Sequence, residues 1–411
     1  MLTKRRREKI FETIEEDSIL ILYSGQSSVK SGDETYNFTP DRNFYYFTNL
    51  DIEKSFFVIQ KSESKYEEKL FIQRTNPQLA RWVGENPSKE HCSQISGIKV
   101  GDILYLDEFE GYLENVLSRT NIENIYLYLK KPILQKESME LKIAQEIQNK
   151  LPFLNVKDIS KKISELRIIK DEEEINNIKK AIEITKEGIM NLITNSKPGM
   201  YEYELEAYFD FTLRKKGVKD FAFKPIVASG KNSTILHYSS NNSQTQEGDL
   251  VLLDLGAQYN YYSGDISRTF PINGKFTERQ KEIYSIVLST MKKVESSAKP
   301  GITLFELNEI AKKSLSEECK KIGLITSEEE LQKYYFHSVS HFLGLDTHDV
   351  GNKHILLKPG MVITNEPGLY IEEEEIGIRI EDDLLITEGG CENLSKDVPK
   401  EIEEIESLWG V

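Results

Sequence analysis

The sequence predicts an α+β protein in two parts: a smaller mixed α/β amino-terminal domain, then a larger domain of two duplicated αβ halves. Three observations support this. At 411 residues the chain is too long for one compact core. Strand-type segments dominate residues 18–129, and a strong helical period begins only near residue 171. A Lys-Pro-Gly turn also recurs in matched surroundings. We place the domain boundary between residues 162 and 163, which gives domains of 1–162 and 163–411.

The first domain is expected to contain a sheet. Apolar runs predict strands at residues 19–23 and 56–60, and alternation predicts another over residues 122–129. The aromatic run at residues 44–47 also has strand character because aromatic residues favour strands.

The second domain opens on a helix. Asp171 and Glu174 form an Asp-x-x-Glu start of the kind that caps a helix. Isoleucine and leucine then recur at helical spacing as far as Leu192. A long amphipathic helix is therefore predicted from residue 171 onwards.

The Lys-Pro-Gly turn that begins at Lys197 recurs at Lys299, 102 residues later. Each turn follows an amphipathic helix signal and precedes a Glu-Leu pair within a second helix. These second helices are expected to end near Gly217 and Gly323, and histidine-bearing β-type sequence follows each. Two copies are too few for a solenoid. The repeat instead predicts two half-domains facing one another across a cleft, with ligands drawn from both.

Composition excludes several classes of function. Hydrophobic residues make up 38% and charged residues 29% of the chain, as in ordinary globular proteins. The net charge of −15 disfavours nucleic acid as a partner. No run approaches the ~20 apolar residues that a membrane span needs, and the start lacks an apolar secretion signal. Three widely spaced cysteines fit a reducing compartment. We therefore expect a cytoplasmic protein without membrane or nucleic-acid partners.

Two aspartates stand out in residues 248–271. Asp254 interrupts the apolar strand at residues 250–255, and Asp265 lies in a second strand near residues 264–270. A hairpin with its tip at residues 259–260 would place these carboxylates directly opposite one another, with Cβ atoms about 4.5–5.5 Å apart. Such a pair repels unless a positive group holds it. A salt bridge to Arg268 is the structural alternative for either aspartate alone.

Two glutamates lie in similar surroundings. Glu366 follows the apolar residues 361–364, and Glu381 ends the segment 376–380. If the second segment is a strand, Gly377, Arg379 and Glu381 share one face. An ion pair between Arg379 and Glu381 is the simpler alternative. It does not explain why four acids recur in four apolar segments.

Histidines complete the pattern. Three of the six, His337, His341 and His348, fall within twelve residues, and His237 lies in the first half. Each alone is more often a core residue than a ligand. Four carboxylates with one imidazole suit a pair of Mn²⁺, Fe²⁺ or Co²⁺ ions better than a thiolate-type zinc site. A two-metal centre requires bridging carboxylates, which would explain why so many acids gather.

These segments resemble the five-ligand motifs of the pita-bread metallopeptidases over residues 163–411. The first domain resembles that of aminopeptidase P, the Xaa-Pro aminopeptidase family, around residues 44–50 and 81–84. Ser338 departs from the family, in which glycine is expected after the first histidine of His-x-x-x-His. The segments that carry the main resemblance are residues 253–256, 264–270, 344–351, 365–370 and 377–382.

The resemblance implies roles for the candidate residues. Asp254 would chelate one metal, Asp265 and Glu381 would bridge both, and His341 and Glu366 would hold the other. A metal-bridging hydroxide would attack the peptide bond. The remaining implied roles are proton shuttling by Glu366, stabilisation of the intermediate or the scissile carbonyl by His348 and His237, a substrate pocket lined by His337 and Tyr370, and an Arg379 that orients Glu381 or contacts substrate.

The implied function is removal of the amino-terminal residue from peptides with proline second, with two divalent metals. Manganese is the leading candidate, and cobalt, iron and zinc are alternatives. Prolidase, an Xaa-Pro dipeptidase with the same ligands, remains open, as does a metal-free pita-bread binding protein. Methionine aminopeptidase does not need the roughly 160 preceding residues. The resemblance further implies peptide substrates and a homodimer or homotetramer, with the first domain serving substrate access or oligomerisation.

Overall fold

A computed structural model describes residues 2–129 and 138–408. The chain divides into two compact units, Met1–Arg167 and Ile168–Val411. The boundary expected from the sequence falls five residues earlier, inside the last helix of the first unit. Helices and strands alternate in both units, and the α+β prediction is confirmed. Among the described residues, no helix has both the length and the apolar character to span a membrane.

The first unit contains a six-stranded mixed sheet flanked by helices. Its strand order is β6-β5-β4-β1-β7-β8. The strands of this unit are β1 (Ser18–Tyr23), β2 (Val29–Ser31), β3 (Glu34–Thr35), β4 (Phe56–Ser62), β5 (Lys65–Ile72), β6 (Ile103–Tyr105), β7 (Asn124–Leu127) and β8 (Asn155–Asp158). Strands β2 and β3 form a separate two-stranded sheet. Its helices are α1 (Leu2–Thr13), α2 (Arg42–Thr48), α3 (Pro77–Val83), α4 (Lys89–Ser96), α5 (Phe109–Arg119), α6 (Met139–Lys150) and α7 (Ser160–Arg167).

The strand predicted at residues 44–47 is wrong, because this segment forms helix α2. The Asp41 side chain caps the helix by accepting hydrogen bonds from the backbone N–H groups of Asn43 and Phe44. Asn49 ends it in the left-handed conformation. Phe44 and Phe47 are both fully buried. A cap and burial thus outweigh the strand preference of the aromatic residues. The predicted strands at residues 19–23 and 56–60 are confirmed as β1 and β4, and only the centre of 122–129 is strand, as β7.

The second unit repeats one order of elements twice. The first half comprises α8 (Glu172–Asn195), α9 (Glu202–Lys215), β9 (Ile226–Ser229), β10 (Leu250–Leu255), β11 (Gln258–Tyr259), β12 (Tyr262–Ser263) and β13 (Ile266–Pro271). The second half comprises α10 (Glu278–Ser297), α11 (Leu304–Lys321), β14 (Val362–Asn365), β15 (Gly368–Ile371), β16 (Ile376–Arg379) and β17 (Asp382–Ile386), followed by β18 (Cys391–Asn393) and α12 (Ile402–Ser407). Each half therefore contains a helix pair and then a strand, a two-stranded hairpin and a returning strand, and the first half has the additional strand β9 after its helix pair.

The predicted turns and caps are confirmed in both halves. Asp171 caps α8 and forms the expected reciprocal bonds with Glu174. Gly199 and Gly301 each have φ of 88°, the left-handed region that glycine enters without steric cost. The repeated turns therefore place the second helix of each half in the same way.

The register of the first hairpin differs from the prediction. Asp254 pairs with Ser267 rather than with Asp265. The tip is at Asn260 and Tyr261, whose φ values of 48° and 64° fit a tight hairpin turn. Moving the tip by one residue moves every cross-strand partner by two. Because side chains alternate with a period of two, Asp265 stays on the face of Asp254 as its diagonal neighbour.

Candidate metal centre and active site

A cavity of 740 Å³ in the second unit brings most of the predicted site residues together. Tyr370 does not line it directly but lies just behind it. The nine predicted residues that line the cavity are His237, Asp254, Asp265, His337, His341, His348, Glu366, Arg379 and Glu381. The two halves thus supply one common site.

Each acid lies where a strand meets a hairpin. Asp254 is the penultimate residue of β10 and Glu366 directly follows β14, so both precede a hairpin. Asp265 directly precedes β13 and Glu381 directly precedes β17, so both follow a hairpin. The rest of each strand is buried, which fixes these chain ends in place.

Three side chains converge most tightly. Donor atoms of Asp265, His341 and Glu381 all lie within 4.8 Å of one another. His341 Nε2 is 3.5 Å from Asp265 Oδ2 and 3.6 Å from Glu366 Oε1. Such a group of oxygen and imidazole donors is suited to a divalent cation.

Backbone contacts prepare His341 for metal binding. Its Nδ1 lies 3.0 Å from the carbonyl oxygen of Phe342. A carbonyl only accepts, so Nδ1 carries the proton and donates. The lone pair of neutral His341 is then on Nε2, which faces the carboxylates. This arrangement is typical of metal-binding histidines.

The carboxyl groups are strongly perturbed. Burial raises the pKa of Glu366 to about 7 and that of Asp254 to about 6. Burial also raises the pKa of Glu381 well above its usual range, and the Asp265 charge adds to the effect. Burial lowers the pKa of His341, but Asp265 and Glu366 outweigh it and bring the value to about 9. The positively charged protein groups nearby do not balance the negative charge of four carboxylates held this close together.

The residues present fit a pair of divalent cations. Asp254 Oδ2 accepts a 2.7 Å hydrogen bond from Arg379 Nη2, while its Oδ1 is buried without a partner in residues 2–129 and 138–408. An unsatisfied buried carboxylate oxygen is costly unless it binds something. A cation at this oxygen would satisfy it, and Asp265, Glu381 and His341 are further residues that would hold the metals.

Arg379, Tyr370 and His337 form a chain of hydrogen bonds. Arg379 Nη1 donates to the Tyr370 hydroxyl at 2.9 Å, and that hydroxyl lies 3.0 Å from His337 Nε2. His337 Nδ1 lies 2.9 Å from the carbonyl of Ser338. Since a carbonyl cannot donate, Nδ1 carries the proton and Nε2 accepts from Tyr370. Burial lowers the pKa of His337 to about 4, so its ring is neutral.

Arg379 reaches Glu381 only indirectly. Its Nε donates to Ser267 Oγ at 2.9 Å, and Ser267 Oγ donates to Glu381 Oε2 at 2.7 Å. The ion pair of Arg379 is formed with Asp254, not with Glu381 as in the simpler alternative that the sequence left open. Arg268, the other suggested partner, pairs with Asp382 and with neither cavity aspartate.

The remaining histidines line the same cavity. The His348 ring lies 4.4 Å from that of His341 in an edge-on arrangement. Burial lowers the pKa of His348, and the nearby His341 contributes to the shift. His237 lines the cavity from the first half. The sequence singled out both residues, and the structure brings them to the cluster.

Sequence reasoning missed several residues that support the site. Ser267 bonds Glu381, and Thr364 Oγ1 accepts from the His341 backbone N–H at 3.1 Å. Asp383 Oδ2 accepts from the Asp265 backbone N–H at 3.1 Å. All three are buried polar residues, and each lies in a fully buried strand. Their position close in sequence to Asp265, Glu366 or Glu381 is the signal that could have found them.

Comparisons with known proteins identify the family. Residues 176–388 match the model of metallopeptidase family M24, and residues 3–126 match the aminopeptidase P amino-terminal domain. The Xaa-Pro aminopeptidase of Escherichia coli is 32% identical over 429 residues, covering 98% of this chain and 96% of the relative. The chain belongs to the aminopeptidase P group of metallopeptidase family M24. The predicted pita-bread metallopeptidase identity is thereby confirmed.

Two further relatives of this chain differ in how much of it they cover. A solved Bacillus anthracis protein, described provisionally as an aminopeptidase P, is 50% identical with a TM-score of 0.97 and covers 99% of this chain and 97% of its own. The Xaa-Pro dipeptidase of Pyrococcus horikoshii is 36% identical over 311 residues, which cover 75% of this chain and 81% of the relative. The Escherichia coli and Bacillus anthracis matches therefore span nearly the whole chain, whereas the dipeptidase match is shorter.

Proposed function

We propose that this protein is a metal-dependent aminopeptidase that removes the first residue from peptides whose second residue is proline. The observation that carries the proposal is the convergence of Asp265, His341 and Glu381 with two further acids in one cavity. Family membership over nearly the whole chain supports the same activity. The amino-terminal domain match favours an aminopeptidase over a dipeptidase.

The five residues proposed as ligands are Asp254, Asp265, His341, Glu366 and Glu381. Two divalent ions, when bound, would polarise the scissile carbonyl and acidify water, so no serine or cysteine nucleophile is required. We propose Mn²⁺ because four carboxylates and one imidazole form a hard donor set. We propose that Asp265 and Glu381, on opposite halves, would each be shared by the two ions.

Glu366 is proposed to transfer the proton. Its carboxylate lines the cavity with Asp265 and His341, where it could accept and release a proton of the water that bound metals acidify. Its Oε2 lies 3.8 Å from His337 Nδ1, and its Oε1 accepts a 3.3 Å hydrogen bond from Thr364. These contacts would hold the carboxyl toward the substrate.

The other side chains are proposed to bind substrate. A peptide bond before proline has no N–H, so recognition must depend on other groups of the substrate. His348 and His237 would donate to the scissile carbonyl as negative charge develops on its oxygen. His337 and Tyr370 would flank the rigid proline ring, with Arg379 holding Tyr370 in place.

Three peptides test the specificity. We expect cleavage of Ala-Pro-Ala with Mn²⁺, less after chelation, and weak cleavage of Ala-Ala-Ala. Strong cleavage of Ala-Pro without any cleavage of Ala-Pro-Ala would make the protein a prolidase. Equal rates on Ala-Pro-Ala and Ala-Ala-Ala would remove the proline requirement. Elemental analysis that finds no metal, together with full activity in chelator, would exclude a metallopeptidase.

We also propose a cytoplasmic protein that assembles as a homodimer or homotetramer, with the amino-terminal domain serving substrate access or oligomerisation. Three cysteines without a disulfide framework support the compartment. Light scattering on the full chain measures the assembly. A monomer at micromolar concentration would contradict it.

A further inference from the structure

A buried ion pair lies outside the cavity and beside one of its histidines. Lys170 Nζ is 2.9 Å from Asp349 Oδ2, and both side chains are only 1% exposed. Lys170 precedes the first helix of the second unit, whereas Asp349 directly follows His348. Neither residue lines the cavity. Removing one partner of a buried pair leaves an uncompensated charge, so the two must be held together.

Asp349 closes the loop that carries the two histidines. Its backbone N–H donates to the carbonyl of Phe342 at 2.8 Å. The same carbonyl accepts from His341 Nδ1 at 3.0 Å. One oxygen therefore uses its two lone pairs to close the loop over residues 342–349 and to fix the His341 ring.

The surroundings leave no room for the pair to move. A Cβ atom on Gly344 would lie 2.9 Å from Lys170 Cε and would overlap the Asp349 carboxylate. A Cβ on Gly351 would overlap the Phe342 ring. The Lys170 backbone N–H also donates to the Gly360 carbonyl at 2.8 Å, ahead of β14. The lysine is thus fixed at its backbone and at its amine.

We propose that Lys170 is a positioning residue for the active site. Through Asp349 it holds the loop so that the His348 ring stays 4.4 Å from that of His341. It touches neither substrate nor metal. The effect on turnover rests on the function proposed above, whereas the effect on the histidine rings does not.

The test replaces Lys170 with methionine. An exposed ion pair in the same unit, Lys179 with Glu392, has the same 2.9 Å separation but side chains 43% and 45% exposed. Lys179→Met is therefore a matched control that removes a lysine from an ion pair of equal length at the surface. Ring resonances of the six histidines are recorded in the metal-free protein, and His91→Ala, His341→Ala, His348→Ala and His354→Ala assign the four that are compared.

In Lys170→Met, the His341 and His348 resonances should shift or broaden while those of His91 and His354 stay in place. With Mn²⁺ and Ala-Pro-Ala, kcat should fall about 10²-fold with little change in KM, as expected for a misplaced catalytic group. Lys179→Met should match the wild type in both measurements. Lys170→Arg, which keeps the charge, should recover part of the turnover.

A folded Lys170→Met with wild-type ring resonances and kcat would overturn the proposal. Altered resonances in Lys170→Met, together with a wild-type protein that cleaves none of the peptides, would instead refute the proposed function alone. If Lys170→Met does not fold, Asp349→Asn decides by the same measurements, because its amide has the size of the carboxylate but lacks the charge for the ion pair with Lys170. Wild-type resonances in Asp349→Asn would then overturn the proposal.

Discussion

The two halves of the second unit share a backbone plan but differ in chemistry. In the first half Gly248 precedes Asp254 by six residues, and in the second Gly360 precedes Glu366 by six; both glycines have φ of 88°. In each half a hairpin then separates this acid from another. The repeat therefore supplies the same pair of carboxylate positions twice.

Among the residues proposed as metal ligands, the single imidazole, His341, lies in the second half. Ala228 of β9 pairs with Leu252, two residues before Asp254. In the second half, the His341 carbonyl accepts from the backbone N–H of Thr364, two residues before Glu366. His341 thus occupies the place that Ala228 has in the first half. Carboxylates belong to the common plan, whereas the imidazoles His337, His341 and His348 are additions to the second half.

The largest expected effect tests whether the two halves contribute equally. Asp265→Asn and Glu381→Gln change equivalent positions and remove the charge of a proposed bridging ligand. Each should lower kcat/KM by at least about 10³-fold, since an amide weakens both metal sites at once. Elemental analysis and Ala-Pro-Ala cleavage measure the outcome. If either variant keeps two metals and wild-type turnover, the equivalence fails.

A second test separates the imidazoles of the second half. His348→Ala should lower kcat by about 10²-fold or more and leave the metal content nearly intact, because His348 is proposed to stabilise charge rather than bind metal. His341→Ala is the comparison and should lose metal. Should metal content collapse in His348→Ala, the residue is a ligand.

Much of this asymmetry could be predicted from the sequence. Asp254 and Glu366 could be selected from the sequence because an acid beside or within an apolar, strand-type run is unusual. The hairpin register could not be predicted, because it depends on whether Tyr259 or Tyr261 joins Asn260 in the left-handed turn. The alternation of side chains preserved the predicted face despite that error.

Other features depend on partners that are distant in sequence. Lys170 and Asp349 are 179 positions apart, and neither has a local pattern that pairs it with the other. Ser267 becomes relevant only when Arg379 and Glu381 are brought beside it. Helix α2 shows the same limit locally, since the Asp41 cap outweighed the strand preference of four aromatic residues.

A third, smaller effect is the pH dependence of the metal-free protein. The folded-state pKa of His341, about 9, exceeds its ordinary value of 6.5. Its contribution to stability is therefore fully present below pH 6.5 and is lost as pH rises through 9. Above pH 6.5 the free energy of unfolding should fall by about 2 kcal/mol. Below it, His337 and His348, whose pKa values are lowered, act in the opposite direction.

Urea unfolding in chelator at several pH values between 6.5 and 9 measures this decline. His341→Gln is the control and should weaken the decline, because the glutamine does not titrate and only the buried carboxyl groups with raised pKa values, Glu366 and Glu381, still lose stability over this interval. A wild-type protein whose stability rises over the same interval would contradict the assignment of a charged His341 between Asp265 and Glu366.

The smallest effect concerns the second helix of each half. Glu306 accepts from the Thr303 backbone N–H at 2.8 Å, and Thr303 Oγ1 accepts from that of Glu306 at 3.1 Å. In the first half Glu204 accepts from the Tyr201 backbone N–H at 2.7 Å, but tyrosine has no hydroxyl near the backbone to return the bond. Thr303→Ala should cost about 1 kcal/mol of unfolding free energy.

Tyr201→Ala is the matched substitution in the first half and should cost less at the helix cap. Urea unfolding of both variants measures the difference. Equal losses would show that packing of the tyrosine ring, and not capping, determines the stability of the first helix end.

The contact between Gly377 and Ser233 limits how this sequence can change by mutation. Gly377 donates its backbone N–H to Ser233 Oγ at 2.8 Å, and a Cβ at that glycine would overlap the Ser233 carbonyl. Ser233 lies four residues before His237. Any single codon change that replaces Gly377 must therefore push aside the segment leading to His237. Evolution can therefore replace Gly377 only together with a second change that moves the segment around Ser233.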